Sequence, residues 1–308
     1  MSVRVLNGDC REVLKTLPDE SVHCCVTSPP YFGLRDYGMA GQIGLEPDPV
    51  DYVAGMVSVF REARRVLRND GTLWLNLGDS YGHGTSAGRQ KGDALLGDST
   101  ADARTMARNG LKAKDLIGIP WRVAFALQAD GWYLRQDIVW AKSNAMPESV
   151  TDRCTKAHEY IFLLAKSARY HYDSDAIKEA SVTGDARKPY APGQVDNRGN
   201  GHDRNGGSTR TTEDAGEWRN KRSVWNVPTK PFKGAHFATF PPALIEPCIL
   251  AGCPVGGTVL DPFGGAGTTG LVADLHGRDA ILIELNPEYA DMARKRITND
   301  SPLFAEVA

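Results

Sequence analysis

Hydrophobic positions along the chain switch repeatedly between a period of two and a period of nearly four. The opening apolar run 3–6, the polar turn Asn7-Gly8-Asp9, the stretch 11–18 with Val13 and Leu14, and the apolar run 22–26 predict strand, turn, short helix and strand, followed by a proline-rich loop. From Asp51 the apolar residues Val53, Met56, Val57, Phe60 and Leu67 recur at helical spacing, and Asn69-Asp70-Gly71 is expected to stop that helix before a strand over 72–77. Pro120 suits the first turn of a helix that Gly131 would cap, and 133–142 then reads as a strand. Residues 159–167 predict another strand, with 168–173 as its hairpin partner. Toward the C-terminus, 257–263 predicts a strand, 268–277 a helix, 279–285 a strand, and Asn286-Pro287 the start of a last helix through Arg296. Strands alternating with helices imply an α/β fold with a doubly wound, mostly parallel sheet.

Two segments break this rhythm. Residues 85–115 and 181–222 are polar, glycine-rich and poor in branched apolar side chains, and loops this long within a compact domain are usually functional or disordered. The second carries eight basic residues against six acidic ones, which suits either closure over a phosphate backbone or a solvated loop.

The 308 residues fit one large α/β domain with insertions or about two core-sized units. With 36 Lys plus Arg against 38 Asp plus Glu, the net charge of -2 excludes a uniformly basic nucleic-acid binder and leaves room for a basic cleft on a neutral body. No run approaches the roughly 18 apolar residues of a membrane span, and the first residues lack a signal-peptide apolar region, so no membrane partner and a cytoplasmic protein are expected. The six cysteines form no CxxC pair, which argues against a structural zinc site or a disulfide scaffold.

Two motifs sit where strands end. Asp261-Pro262-Phe263-Gly264-Gly265-Ala266-Gly267-Thr268 joins a strand to a helix, and glycines at such a turn let backbone approach a ligand closely. Glu284 ends the next strand, where a carboxylate can accept hydrogen bonds from ribose hydroxyls. The turn lacks the G-x-G-x-x-G spacing of a pyrophosphate site, which points to a cofactor with one nucleoside, such as S-adenosylmethionine; a tight turn in an α/β core is the plain alternative. In Thr27-Ser28-Pro29-Pro30-Tyr31, consecutive prolines remove two backbone donors and stiffen the loop, so that carbonyl acceptors and an aromatic ring stand side by side. That arrangement suits a planar ligand bearing an amino group. Asp9 should share the same rim of the sheet.

These motifs, with His236, Phe240 and Pro241 in the segment 236–241 shortly before the glycine turn, resemble the β-group amino-methylating DNA methyltransferases. The likeness covers both ends and most predicted strands, and leaves out the two polar insertions. In that group the catalytic motif precedes the cofactor motif, a circular permutation of the class I methyltransferase fold. Glutamine-modifying protein methyltransferases carry a related loop, but after the glycine motif and with Asn at the first position.

The resemblance implies three regions: 1–169 as the catalytic half, with 85–115 a mobile loop; 170–235 as an inserted target-recognition region; and 236–308 as the cofactor half. It implies S-adenosylmethionine as cofactor, bound by Asp9, His236, Phe240, Pro241, Asp261, Phe263, Gly265, Gly267, Thr268 and Glu284. Phe263, Gly265 and Gly267 would shape the methionine side, Glu284 would hold the ribose, Asp9 would approach the adenine amino group, and His236, Phe240 and Pro241 would close the pocket. Ser28, Pro29, Pro30 and Tyr31 would be catalytic and hold a flipped base, with Trp140 and Lys142 near its far side. His158-Glu159 resembles a recurring element of the family but is assigned no role. Double-stranded DNA is the expected partner, and a homodimer and a separate restriction endonuclease are both compatible with the family. Ser at position 28 favours cytosine N4 over adenine N6. Structured RNA and a catalytically silent DNA-binding role are the remaining alternatives.

Overall fold

A computed structural model describes residues 1–82, 112, 114–181, 218–230, 240–300 and 306–307. They fall into two compact units, one of Met1–Asp173 with Ser223–Ala308 and one of Ser174–Arg222. The expected mobile loop 85–115 lies almost wholly outside the described residues, as do His236 and most of the 181–222 insertion.

The larger unit holds a nine-stranded sheet built from β1 (Ser2–Asn7), β2 (Val22–Thr27), β3 (Leu67–Leu77), β4 (Tyr133–Ala141), β5 (His158–Ala165), β8 (Val224–Asn226), β9 (Thr258–Asp261), β10 (Asp279–Glu284) and β11 (Glu306–Val307). The order is β11-β1-β10-β9-β2-β3-β5-β4-β8, parallel except where β5 runs against β3 and β4. The smaller unit contributes a two-stranded antiparallel ladder of β6 (Glu179–Ala180) and β7 (Trp218–Arg219).

Register places the motifs together. Asn7 pairs with Glu284, Leu282 with Asp261 and Cys25 with Leu260, so the carboxyl ends of β1, β10, β9 and β2 meet on one rim. The chain leaves β9 toward β10 on one side and β2 toward β3 on the other, which makes the β9–β2 junction a topological switch point where a crevice opens.

Helices enter this frame through caps of which only that at Asn286 was expected from the sequence. Asp9 accepts from the Arg11 amide at 2.9 Å to start α1 (Cys10–Thr16), and Asp48 does the same from Val50 at 2.7 Å for α2 (Pro49–Val66). The buried stripe Tyr52, Met56, Val59, Phe60 and Ala63 seats α2 on the sheet. Gly118, at a φ of 78°, precedes α3 (Ile119–Ala129), whose first amides are held by the Asp79 carboxylate at 3.0 Å from both Gly118 N and Ile119 N. Gly267, also at a φ of 78°, opens α5 (Thr268–Leu275), and Asn286 Oδ1 accepts from Glu288 N at 2.9 Å at the start of α6 (Pro287–Asp300).

Two local expectations are corrected, and one helix was not expected at all. The strand β3 begins at Leu67, so Asn69-Asp70-Gly71 lies within it: Val22 pairs with Leu67 and Cys24 with Thr72, and the surplus residues form an irregularity in the ladder. Residues 168–173 form no hairpin, because both edges of β5 are already taken by β3 and β4; His171 N and Asp173 N donate instead to Asp70 O at 2.8 Å and Ala251 O at 2.9 Å. A helix without a sequence signal, α4 (Pro242–Gly252), is apolar on nearly every side and contains Pro247, so it shows no amphipathic period. Cys24 and Cys25 are fully buried in β2, and among the described residues no group of metal-ligating side chains and no helix long and apolar enough to cross a membrane is found.

Candidate active site

A cavity of about 810 Å³ opens at the carboxyl rim of the larger unit, reaching from the glycine turn to the proline loop. Its volume lies within the range of small-molecule sites, roughly 300–1,000 Å³. Of the residues expected to bind or catalyse, Ser28, Pro29, Pro30, Tyr31, Asp9, Phe240, Asp261, Phe263, Gly265, Thr268, Glu284, Trp140 and Lys142 all line it. Gly267 and Pro241 do not: a Cβ on Gly267 would meet Ala293 of α6 at 2.9 Å, and Pro241 is the cap of α4.

At the glycine turn the acids serve backbone and neighbouring hydroxyls. Asp261 is 1% exposed and accepts from Thr27 Oγ1 and Thr269 Oγ1, each at 2.6 Å, and from Phe263 N at 3.0 Å. Its burial pushes the carboxyl pKa up, against the pull of those three donors. It therefore holds the turn from beneath. Glu284 accepts from Gly265 N and Asn286 N, both at 2.8 Å, and burial raises its pKa as well. At Gly264 a Cβ would lie 3.0 Å from that of Leu282, so a side chain there would crowd the strand behind the cavity floor. Thr268 Oγ1 accepts from Arg296 at 2.9 Å. Asp9 is gripped by Arg11, which holds its carboxyl below the usual range and reaches on to Gly41 O at 2.8 Å. Arg11 thus ties the first strand end to the 34–43 loop, whose Tyr37 and Gln42 also line the cavity.

At the proline loop the contacts are between side chains. Tyr52 donates to Pro30 O at 2.8 Å and fixes the loop against α2. The Tyr31 hydroxyl lies 2.7 Å from Glu159 Oε2, 3.1 Å from Asn76 Oδ1 and 3.4 Å from Ser28 Oγ. Its ring lies on the backbone of Gly78, where a Cβ would collide with Cε2 and come within 2.8 Å of Cδ2. Burial pushes the Tyr31 phenol pKa well up, and the Glu159 charge adds to this. Asn76 Nδ2 donates to Glu159 Oε2 at 3.2 Å and Tyr160 O at 3.0 Å. Lys142 pairs with Glu159 while its ammonium stands 4.5 Å from the Trp140 ring centroid. Trp140 is 3% exposed, with its indole N–H donating to Val227 O at 2.7 Å. Lys156 donates to Asp79 O at 2.8 Å, and burial lowers its pKa.

Sequence reasoning missed Asn76, Lys156 and the 34–43 loop, and left Glu159 without a role. Only Glu159 carried a usable signal: an acid near the start of an otherwise apolar strand, which β5 pairs directly with Trp140.

Known proteins share this arrangement of the chain. A family model described as DNA methylase, covering amino N6 and N4 methyltransferases, matches residues 22–295. The chain is 48% identical to the Type II methyltransferase M.Cfr9I of Citrobacter freundii over 99% of this chain and 90% of that protein. It is 48% identical to the Type II methyltransferase M.SmaI of Serratia marcescens, over 96% and 91% of the two chains. Among solved structures, the cytosine-N4-specific PvuII DNA methyltransferase is similar with a TM-score of 0.63 at 19% identity, over 97% of this chain and 92% of that one. A Thermus thermophilus protein, TTHA0409, solved with S-adenosyl-L-methionine, is similar with a TM-score of 0.60 at 23% identity, over 99% of each chain. These two likenesses concern the fold.

Proposed function

The chain belongs to the N6/N4 family of DNA methylases, and on that premise we propose that it methylates the exocyclic N4 of a cytosine flipped out of duplex DNA, with S-adenosylmethionine as the methyl donor. The observation that carries this reading is one cavity with the glycine turn and Glu284 at one end and Ser28-Pro29-Pro30 at the other. Donor and acceptor then share one space.

The residues of the first end fit the cofactor. Glu284 keeps carboxylate lone pairs beyond its two backbone donors, suited to ribose hydroxyls, and Phe263 with Gly264 and Gly265 offers an apolar, close-approach floor. Asp9, with Tyr37 nearby on the 34–43 loop, would border the adenine, and Phe240 would close the cavity beside it. Bound there, S-adenosylmethionine supplies an electrophilic methyl group.

The residues of the second end prepare the acceptor. An exocyclic amino nitrogen is a weak nucleophile because its lone pair is delocalised into the ring. Ser28 Oγ and the Pro29 carbonyl would accept its hydrogens and favour a pyramidal nitrogen, while Tyr31 and Trp140 border the base. Holding both reactants in line accounts for most of the acceleration, with effective molarities that reach about 10⁵ M in well-oriented systems. No thiolate takes part: Cys24 and Cys25 are fully buried and burial drives both thiol pKa values well up, and Cys10, which lines the cavity, is pushed up to about 12 by burial. Ser at position 28 supports cytosine as the target.

Flipping a base costs a few kcal/mol, recovered through stacking and phosphate contacts. Residues 170–235 would supply those contacts and read the sequence; much of this region lies outside the described residues.

The test is incubation with methyl-labelled S-adenosylmethionine and mixed genomic DNA, digestion to nucleosides and mass spectrometry of the labelled product. N4-methylcytosine is expected. N6-methyladenine would overturn the base assignment, and no labelled nucleoside despite measured cofactor binding would overturn the reading as a whole.

A further inference from the structure

We propose that Glu159 is a positioning residue that sets the direction of hydrogen bonding through Tyr31 and Ser28, and that it receives the proton the methylated nitrogen must shed. This rests on the amino-methylation reading above.

Donor and acceptor inventories fix the directions. An ionised carboxylate only accepts, so the Tyr31 hydroxyl, 2.7 Å from Glu159 Oε2, must donate to it. The Tyr31 oxygen is then left as an acceptor, and Ser28 Oγ donates its one proton to it across 3.4 Å. Ser28 therefore turns its lone pairs, not its proton, toward the cavity. Asn76 cannot reverse this polarity: its amide N–H groups are taken by Glu159 and Tyr160 O, so the Oδ1 that faces Tyr31 at 3.1 Å is a second acceptor that competes for the single Tyr31 proton and has none to give. A serine hydroxyl free to rotate could point its proton at the incoming amino group, which has only N–H donors to offer once its lone pair is committed. Glu159 removes that orientation. Lys142, held against Trp140, pairs with Glu159 in a site where only 13% of the Glu159 side chain is exposed, so the carboxylate has a charge partner there.

The same relay disposes of a proton. As the N–C bond forms and the S–C bond breaks, its electron pair leaves with sulfur and the nitrogen carries a positive charge with one hydrogen too many. That proton passes to Ser28 Oγ, the Ser28 proton passes to the Tyr31 oxygen, and the Tyr31 proton passes to Glu159 Oε2. The product nitrogen ends neutral, the carboxylate ends as a neutral acid, and Glu159 returns its proton to water in the cavity it lines.

The experiment is a double-mutant cycle with Tyr31→Phe and Glu159→Gln, read by single-turnover methyl transfer to duplex DNA and by alkaline absorbance titration of tyrosine in the protein alone. Each single change is expected to slow transfer about 10²-fold, the low end for lost proton transfer, and the double change to cost little more than the worse single one. Independent losses that multiply to about 10⁴ would overturn the coupling. In the titration, Glu159→Gln should make one tyrosine ionise at lower pH than in wild type, and Tyr31→Phe should remove that tyrosine; no displacement would overturn the contact. If Glu159→Gln fails to fold, Tyr31→Phe decides alone, since it keeps the Glu159–Lys142 pair: full activity in it overturns the proposal. Wild-type protein that methylates no DNA would instead overturn the functional reading, with the titration still reporting on the contact.

Discussion

At the glycine turn the acids Asp261 and Glu284 are bound by backbone amides and threonine hydroxyls of their own fold, whereas at the proline loop Glu159 is bound by Tyr31, Asn76 and Lys142 side chains. At the first end those bonds fix the acids against the backbone of the turn. The second is a polar network in which each group sets the orientation of the next, so a change at one member propagates to the others. The difference suits the two tasks of the proposed reading, in which a cofactor needs a fixed cradle and an amino group needs acceptors aimed at hydrogens that will leave.

Changes at the proline loop should separate the two ends most sharply. On the proposed reading Ser28→Ala would remove an acceptor used while the bond forms, and methyl transfer measured in single turnover is expected to fall about 10²–10³-fold, the scale seen when one preorganised polar group is lost. Gly78→Ala probes the same end without touching any polar atom, because the new Cβ would drive into the Tyr31 ring. Transfer should drop about 10²-fold, as for a misplacement near 1 Å, with cofactor affinity unchanged by calorimetry; an active Gly78→Ala protein would mean that the inward Tyr31 is not the working position.

Changes at the glycine turn should act on binding. Glu284→Ala is expected to weaken S-adenosylmethionine about 10–100-fold, the worth of charge-assisted hydrogen bonds of about 1.5–3 kcal/mol. Because burial raises the Glu284 pKa, its neutral form gathers at a higher pH than for an ordinary carboxyl. Affinity in a calorimetric pH series should therefore decline as pH falls through that raised value, and Glu284→Gln should flatten the decline. The smallest effect on activity is expected from Thr269→Val, which removes one of the donors to buried Asp261. Urea unfolding should show a loss of about 1–3 kcal/mol, with transfer at saturating cofactor near wild type.

The same contrast explains how much could be read in the sequence. The glycine-turn end is local: a strand, a glycine turn and an acid on the next strand are contiguous or evenly spaced, so the places of Phe263, Gly265 and Glu284 on the cavity could be read one by one, and the sheet rim that joins them follows from strand alternation. Gly267 shows the limit, since its glycine serves the packing of α5 on α6 and not the cavity, a choice only tertiary contact reveals. The network at the other end joins positions 28, 31, 76, 142 and 159, which meet because β5 inserts antiparallel between β3 and β4. No spacing rule encodes that meeting. Helix α4 escaped for a different reason, being apolar all round, and the misplaced hairpin at 168–173 reflects a β5 whose two edges were already filled.

The most direct test of two separable ends is the affinity of the Ser28→Ala protein for S-adenosylmethionine, measured by calorimetry beside its rate of methyl transfer to duplex DNA. Wild-type affinity with the rate lost is the expected result. An affinity that falls in step with the rate would mean that the proline loop is part of the cofactor cradle, and that the cavity does not divide as described.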